Sequence, residues 1–166
     1  MEREPFNNSE GGIESGNAWL WDLPSTNTSY SEAMRSEIVS SIQNLLRDGK
    51  TVILIYPVPE MGWNVSRFLA RHLLLKNTVS ADVASISYKR FLDRNSSAIE
   101  ALDSIVGGAN LIRIRPDKIL CDTYLKERCV AHLNGQALYF DNNHLSNVGA
   151  DLVLKDVIDI LSTQRR

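Results

Sequence analysis

Thr51-Val-Ile-Leu-Ile-Tyr-Pro-Val-Pro59 is the stretch on which the fold turns. A near-continuous β-branched and apolar run is the pattern of a strand buried on both faces of a parallel sheet. Two prolines close it, and the loop Pro59-Glu-Met-Gly-Trp63 follows. Ahead of it, from Ser31 to Arg47, the apolar residues Ala33, Met34, Ile38, Val39, Ile42, Leu45 and Leu46 recur at helical spacing, and Gly49 supplies a stop. Helix, glycine, buried strand and then a loop at the strand's C-terminal edge is the α/β pattern, and in open α/β sheets that edge is where ligands bind.

The same reading extends outward. Val65 to Leu75 predicts an amphipathic helix with Phe68, Leu69, His72 and Leu73 on one side, where His72 reads as a core or boundary histidine. Lys76 to Ser87 is weakly patterned. Tyr88 to Ile105 predicts a helix through Phe91, Leu92, Ile99, Leu102 and Ile105, with an interruption near Asn95-Ser-Ser97. Ala109 to Pro116 predicts a second strand, along which Arg113 and Arg115 alternate as on a solvated face. A short strand is expected at Ala137 to Phe140. A last helix, Asn147 to Leu161, carries Val148, Leu152, Val153, Val157, Ile158 and Leu161. Residues 1–29 are rich in Asn, Ser, Thr, Gly and Glu and read as an irregular segment, with Trp19, Leu20, Trp21 and Leu23 as its apolar island. There is no internal repeat and no linker, so residues 1–166 are expected to form a single domain.

Composition excludes several classes of function. A net charge of -2 gives no electrostatic reason to expect a nucleic-acid partner. No apolar run approaches a membrane span, and the first residues lack the apolar core of a signal peptide. No glycine-rich phosphate loop follows a strand, which argues against a flavodoxin-like nucleotide-binding module, and no cofactor is expected. The two cysteines, Cys121 and Cys129, have no second Cys or His pair at ligand spacing, which argues against zinc. Spacing alone leaves two readings open: free thiols in a reduced compartment, or a local disulfide in an oxidising one.

The candidate chemistry lies in Tyr139-Phe-Asp-Asn-Asn-His-Leu-Ser-Asn-Val-Gly-Ala150. Asp141 and His144, three apart on a strand-to-helix loop, can face each other. The carboxylate then takes one ring nitrogen and leaves the other to act as a base. Ser146 is placed to cap the following helix, while Gly149 and Ala150 allow its first turn to approach the sheet closely. The plain alternative is a loop histidine bonded to an aspartate for structure only.

These residues resemble the last motif block of SGNH-type esterases and acyltransferases. The nearer resemblance is to the SGNH domain fused to bacterial acyltransferase-3 membrane proteins, which O-acylate cell-surface polysaccharides. That form is marked by a Y-x-D-x-x-H-L-S-x-x-G-A ending, a preceding cysteine pair and a buried strand ending in P-V-P-E. They stand here as Tyr139 to Ala150, Cys121 with Cys129, and Tyr56 to Glu60; Asn7-Asn-Ser-Glu-Gly-Gly12 resembles the family's loop into that half.

The resemblance implies a three-layer flavodoxin-like parallel sheet and a Ser-His-Asp acyl transfer, with His144 as base and Asp141 as its orienter. It also implies a Cys121–Cys129 disulfide, a periplasmic location, an acylated glycan or acyl donor as partner, and an acyltransferase-3 membrane domain in the full gene. Glu60 and Trp63, on the loop after the first strand, are candidates for the substrate edge.

The departure concerns the nucleophile. The family's serine lies in a G-D-S block after the first strand, and this chain has no G-D-S. Ser9 and Ser15 have glycine nearby but neither follows a strand nor opens a helix, as a nucleophile turn requires. The Gly and Asn blocks that supply oxyanion donors are not recognisable either. The expectation is therefore an SGNH domain incomplete on its N-terminal side and inactive alone. The competing expectation is a non-catalytic glycan- or partner-binding α/β module.

Overall fold

The computed structural model describes residues 6–13, 28–77, 79–80 and 82–163. The elements in chain order are α1 (Thr28–Arg47), β1 (Val52–Ile55), α2 (Val65–Lys76), β2 (Ile86–Ser87), α3 (Tyr88–Asp103), β3 (Leu111–Ile114), α4 (Pro116–Leu120), β4 (Arg128–Cys129), β5 (His132–Leu133), β6 (Gln136–Ala137) and α5 (Asn147–Thr163). Trp19, Leu20, Trp21, Leu23 and Ser15 lie outside the described residues, as does the side chain of Leu161.

The chain is α/β. β1 and β3 pair in parallel, Val52 opposite Leu111 through Ile55 opposite Ile114. β2 with β4 and β5 with β6 form short antiparallel pairs. Leu54 and Tyr56 point to one face of the parallel pair, where with Ile105 they meet Val39, Ile42 and Leu46 of α1. The larger core lies on the other side of β3. It gathers Met61, Val65 and Leu69 with Phe91, Ile114, Leu120, Leu138, Tyr139 and Val153.

Three expectations need correction. β1 is not buried on both faces: Ile53 is 38% and Ile55 51% exposed. Residues two apart share a face. The opposite member of that face on β3, Ile114, is covered by the larger core, but the cover stops short of β1. Among the described residues β1 also pairs along one edge only.

The second correction concerns α3, which runs unbroken through Asn95-Ser-Ser97. Asn95 is buried and its amide donates to the Phe91 carbonyl one turn back, so the residue that could break the helix is absorbed by it. The third concerns Ala137 to Phe140. Only Ala137 belongs to a strand, because the Leu138 and Phe140 amides donate to the Ala131 and His144 carbonyls and the chain folds back on itself.

Arg113 and Arg115 also do more than coat a solvated face. Arg113 donates to the Tyr56 hydroxyl and to the carbonyls of Leu102 and Ile105. Arg115 forks onto Asp117 and stacks on the Tyr56 ring, 4.6 Å from its centroid. His72 is half-buried and stacks on Phe68, a boundary position.

Cys121 and Cys129 are joined by a disulfide that ties the end of α4 to β4. A loop of this length contributes about 2.5 kcal/mol on the chain-entropy account. Reduction with alkylation is therefore expected to lower the unfolding free energy by about that amount, read as a shifted urea midpoint. An unchanged midpoint would mean that the loop is held by its other contacts alone.

Candidate active site

The site is built from three loops that meet at the C-terminal end of β1. The loop 138–146 carries Asp141 and His144. The loop 57–64 supports it, since the Met61 amide donates to the Asn142 carbonyl at 2.7 Å and the Val65 amide to the Asp141 carbonyl at 3.1 Å. Asn64 caps α2 by accepting from the Arg67 amide, which fixes where that loop ends. The segment 6–13 then supports the second loop: buried Asn8 donates from Nδ2 to the Met61 carbonyl, while its Oδ1 accepts from the Glu10 and Gly12 amides.

Gly12 and Gly62 make this stacking close. A Cβ on Gly62, which has φ +76°, would lie 2.8 Å from the Gly12 carbonyl oxygen.

Within the upper loop, Asp141 organises its own turn. Its Oδ1 accepts from the amides of Asn143 and His144 at 3.0 and 2.8 Å, and its Oδ2 accepts from His144 Nδ1 at 2.7 Å. Burial alone would raise the Asp141 carboxyl. The two amides and the imidazole outweigh it and hold the carboxyl below its ordinary value. Asp141 is therefore ionised at neutral pH and fixes the imidazole with Nδ1 as the N–H nitrogen. In the neutral imidazole Nε2 then carries the lone pair, on a side chain that is exposed. This arrangement can accept a proton from a hydroxyl brought to Nε2.

The helix behind the loop is held as its sequence requires. Ser146 accepts from the Gly149 amide and donates to the Ala137 carbonyl, so it is the cap of α5. Gly149 is buried against the Leu138 carbonyl. Ser66 of α2 donates to the Tyr139 carbonyl at 3.1 Å, tying a second helix to the same turn.

Tyr139 itself is fully buried, and burial drives its phenol well above its ordinary value. Its hydroxyl has no hydrogen-bond partner among the described residues. Tyr139→Phe is therefore expected to leave stability unchanged or to raise it by about 1 kcal/mol. A thermal melt showing a loss larger than that would reveal a partner for the hydroxyl.

Glu60 and Trp63 both sit on the supporting loop, but differently from each other. Glu60 is buried with its carboxylate on Arg94 Nε, and the Arg94 guanidinium lies over Phe6. Arg94 supplies the paired cation that a buried carboxylate needs. Trp63 is half-buried against Phe68, 5.2 Å between ring centroids.

His132 is buried and shares its Nε2 with the Ser80 carbonyl, remote from Asp141 in its contacts. Ser9 is exposed and held in a turn by Asn7, with no bond to His144. Sequence reading missed Asn8 and Arg94. The signal for Asn8 was the Asn-Asn-Ser-Glu-Gly-Gly run, where an Asn side chain ahead of glycines organises a tight turn.

Among the described residues no group of three or more His, Cys, Asp or Glu could hold a metal ion, and no helix is long and apolar enough to cross a membrane. A family model described as the SGNH domain (fused to AT3 domains) matches residues 8–159. The chain belongs to that family. The matched span takes in the loops 57–64 and 138–146 and the third segment from residue 8 onward, and membership ties the chain to acyl-group transfer or ester hydrolysis. No curated protein and no solved structure matches the chain.

Proposed function

We propose that this SGNH domain supplies the base and the orienting carboxylate of a Ser-His-Asp acyl transfer acting on a cell-surface polysaccharide. The observation that carries the reading is the 2.7 Å bond from His144 Nδ1 to Asp141 on a turn fixed by two further amide bonds. In the reaction a serine oxygen bonds to the acyl carbonyl carbon while His144 Nε2 takes the serine proton. The tetrahedral intermediate expels the donor's oxygen, which leaves with that proton. The acyl-enzyme is then opened by a sugar hydroxyl, or by water, deprotonated in turn at Nε2.

The serine is contributed by polypeptide other than the described residues. β1, which among the described residues pairs along one edge only, is where a further parallel strand of a three-layer flavodoxin-like sheet would add. The residue after such a strand would emerge at the same sheet edge as His144. The disulfide Cys121–Cys129 supports an extracytoplasmic location, since such bridges persist in oxidising compartments. An acyltransferase-3 membrane domain is the natural partner of a domain of this family.

The isolated chain is expected to resist a fluorophosphonate probe and to leave p-nitrophenyl acetate intact. A version extended to include a serine-bearing strand is expected to label at one serine. There, Asp141→Asn should lower kcat on the order of 10⁴-fold by releasing the wrong tautomer. Labelling of a serine in the isolated chain, with turnover abolished by His144→Ala, would overturn the claim that the serine comes from elsewhere. A second reading, a glycan- or partner-binding module without catalysis, is favoured by one observation. Among the described residues no serine hydroxyl bonds to the His144 ring. Failure of the extended version to label would select it.

A further inference from the structure

A cavity of about 610 Å³ opens beside His144, with Phe140, Leu145, Asn147 and Val148 among its walls. Phe140 is 73% exposed, the highest value among the large aromatic side chains of the site, and Val148 beside it is also exposed. An aromatic ring left in water has an unfavourable apolar face that a ligand can cover. Its position is not loose, because the Phe140 amide donates to the His144 carbonyl at 2.8 Å, locking the platform and the base into one turn. The Ser146 hydroxyl is spent on the Ala137 carbonyl and the Gly149 amide. The polar groups that the cavity offers a ligand are therefore the Asn147 amide and the imidazole.

We propose that Phe140 and Val148 form a stacking platform for a pyranose ring, the sugar that receives the acyl group. This rests on the acyl-transfer reading of the same site and names its acceptor subsite. A pyranose has an apolar face of C–H groups and an edge of hydroxyls, matching a wall of one aromatic and one aliphatic side chain rimmed by an amide and an imidazole. The volume lies within the roughly 300–1,000 Å³ of small-molecule sites, far more than an acetyl group needs by itself. Stacked on Phe140, the ring turns an edge hydroxyl toward His144, which is the proton the second half of the transfer must remove. Phe140 is thus a specificity-determining residue that acts on the acceptor.

The test is binding, which needs no serine. The purified chain is titrated with an unacylated hexose tetrasaccharide by saturation-transfer NMR and calorimetry, alongside Phe140→Ala and Phe140→Tyr. Saturable binding is expected, weakened at least tenfold by Phe140→Ala and kept within about twofold by Phe140→Tyr. Because Phe140 is exposed, its variants are expected to melt with the wild type, which circular dichroism checks. Absence of saturable binding, or Phe140→Ala binding as tightly as wild type, overturns the platform. So does full displacement of the tetrasaccharide by a short-chain acyl ester, which would make the cavity an acyl pocket. Sugar binding that persists while the extended chain fails to label keeps the platform and removes the acyl-transfer reading instead.

Discussion

Gly149→Ala is expected to cost about 3 kcal/mol or more and to lower the melting temperature by roughly 6–12 °C. A Cβ at this position would lie 2.1 Å from the Leu138 carbonyl oxygen and 3.0 Å from its carbon. Both obstacles are backbone, so no side chain can swing aside. The carbonyl cannot rotate freely either, because it accepts from the Ser146 amide at 2.9 Å. The first turn of α5 must therefore lift from the turn it packs on. Lifting it strains the Ser146 cap and draws Val153 and Val157 out of the core, where both are buried. Gly108→Ala is the control, since the nearest atom to a Cβ there is 3.9 Å away, at ordinary contact distance. A melt of Gly149→Ala within about 2 °C of wild type would show that α5 is not seated as described.

Asp117→Ala is the second change with a large effect, about 3 kcal/mol, toward the lower end of what breaking a buried charge pair costs. Asp117 is fully buried. It accepts from Arg115 at 2.8 and 3.1 Å and from the Tyr88 hydroxyl at 2.8 Å. Through Arg115 the network reaches Asp103 and the Tyr56 ring, so one carboxylate joins the ends of β1 and β3 to α3 and α4. Removing it takes the acceptor from the Tyr88 hydroxyl, which keeps its bond from Lys118, and leaves a guanidinium only a quarter exposed with the longer contact to Asp103. That residual exposure is the reason for the lower figure.

The same carboxylate sets an acid limit. Burial alone would push the Asp117 carboxyl up, but hydrogen bonds from Arg115 and Tyr88 outweigh it and hold the carboxyl below its ordinary value. A group whose folded pKa is lowered stabilises fully above its unfolded value, near 3.9, and loses that contribution as pH falls through the folded value. Asp141 has the same sign. Stability is therefore expected to hold from neutral pH to about pH 5 and to fall below about pH 4. The fall should be shallower in Asp117→Ala, which urea midpoints across that range would report. Equal slopes would mean that Asp117 binds its proton equally in both states.

Much of the site was legible in the chain because its signals are local. The Asp141-x-x-His144 spacing, the Ser146 cap and the close approach at Gly149 each depend on atoms within about ten residues of one another. The helices α1, α2, α3 and α5 were also legible, since apolar periodicity over twelve or more residues is hard to mimic. What escaped depends on distant partners. Arg113 and Arg115 looked like a solvated face because alternation does not say that Tyr56, 57 residues before Arg113, waits behind it. The pairing of Glu60 was not legible because its cation, Arg94, comes from α3, 34 residues further on. The extent of β1 burial was misjudged for the complementary reason. A β-branched run reports that a strand suits cover on both faces, not that the described residues supply it.

That uncovered strand has a consequence for how the polypeptide behaves in solution. Strand edges are usually guarded by lysine, proline or a bulge. Val52–Ile55 carries none of these, and presents Ile53 and Ile55 outward instead. Among the described residues one edge of β1 is left unpaired beside two exposed isoleucines, a template for another extended chain, and the nearest one in a concentrated sample is a second copy. The feature that would let the domain accept a completing strand is also what makes the separate chain prone to form intermolecular sheets.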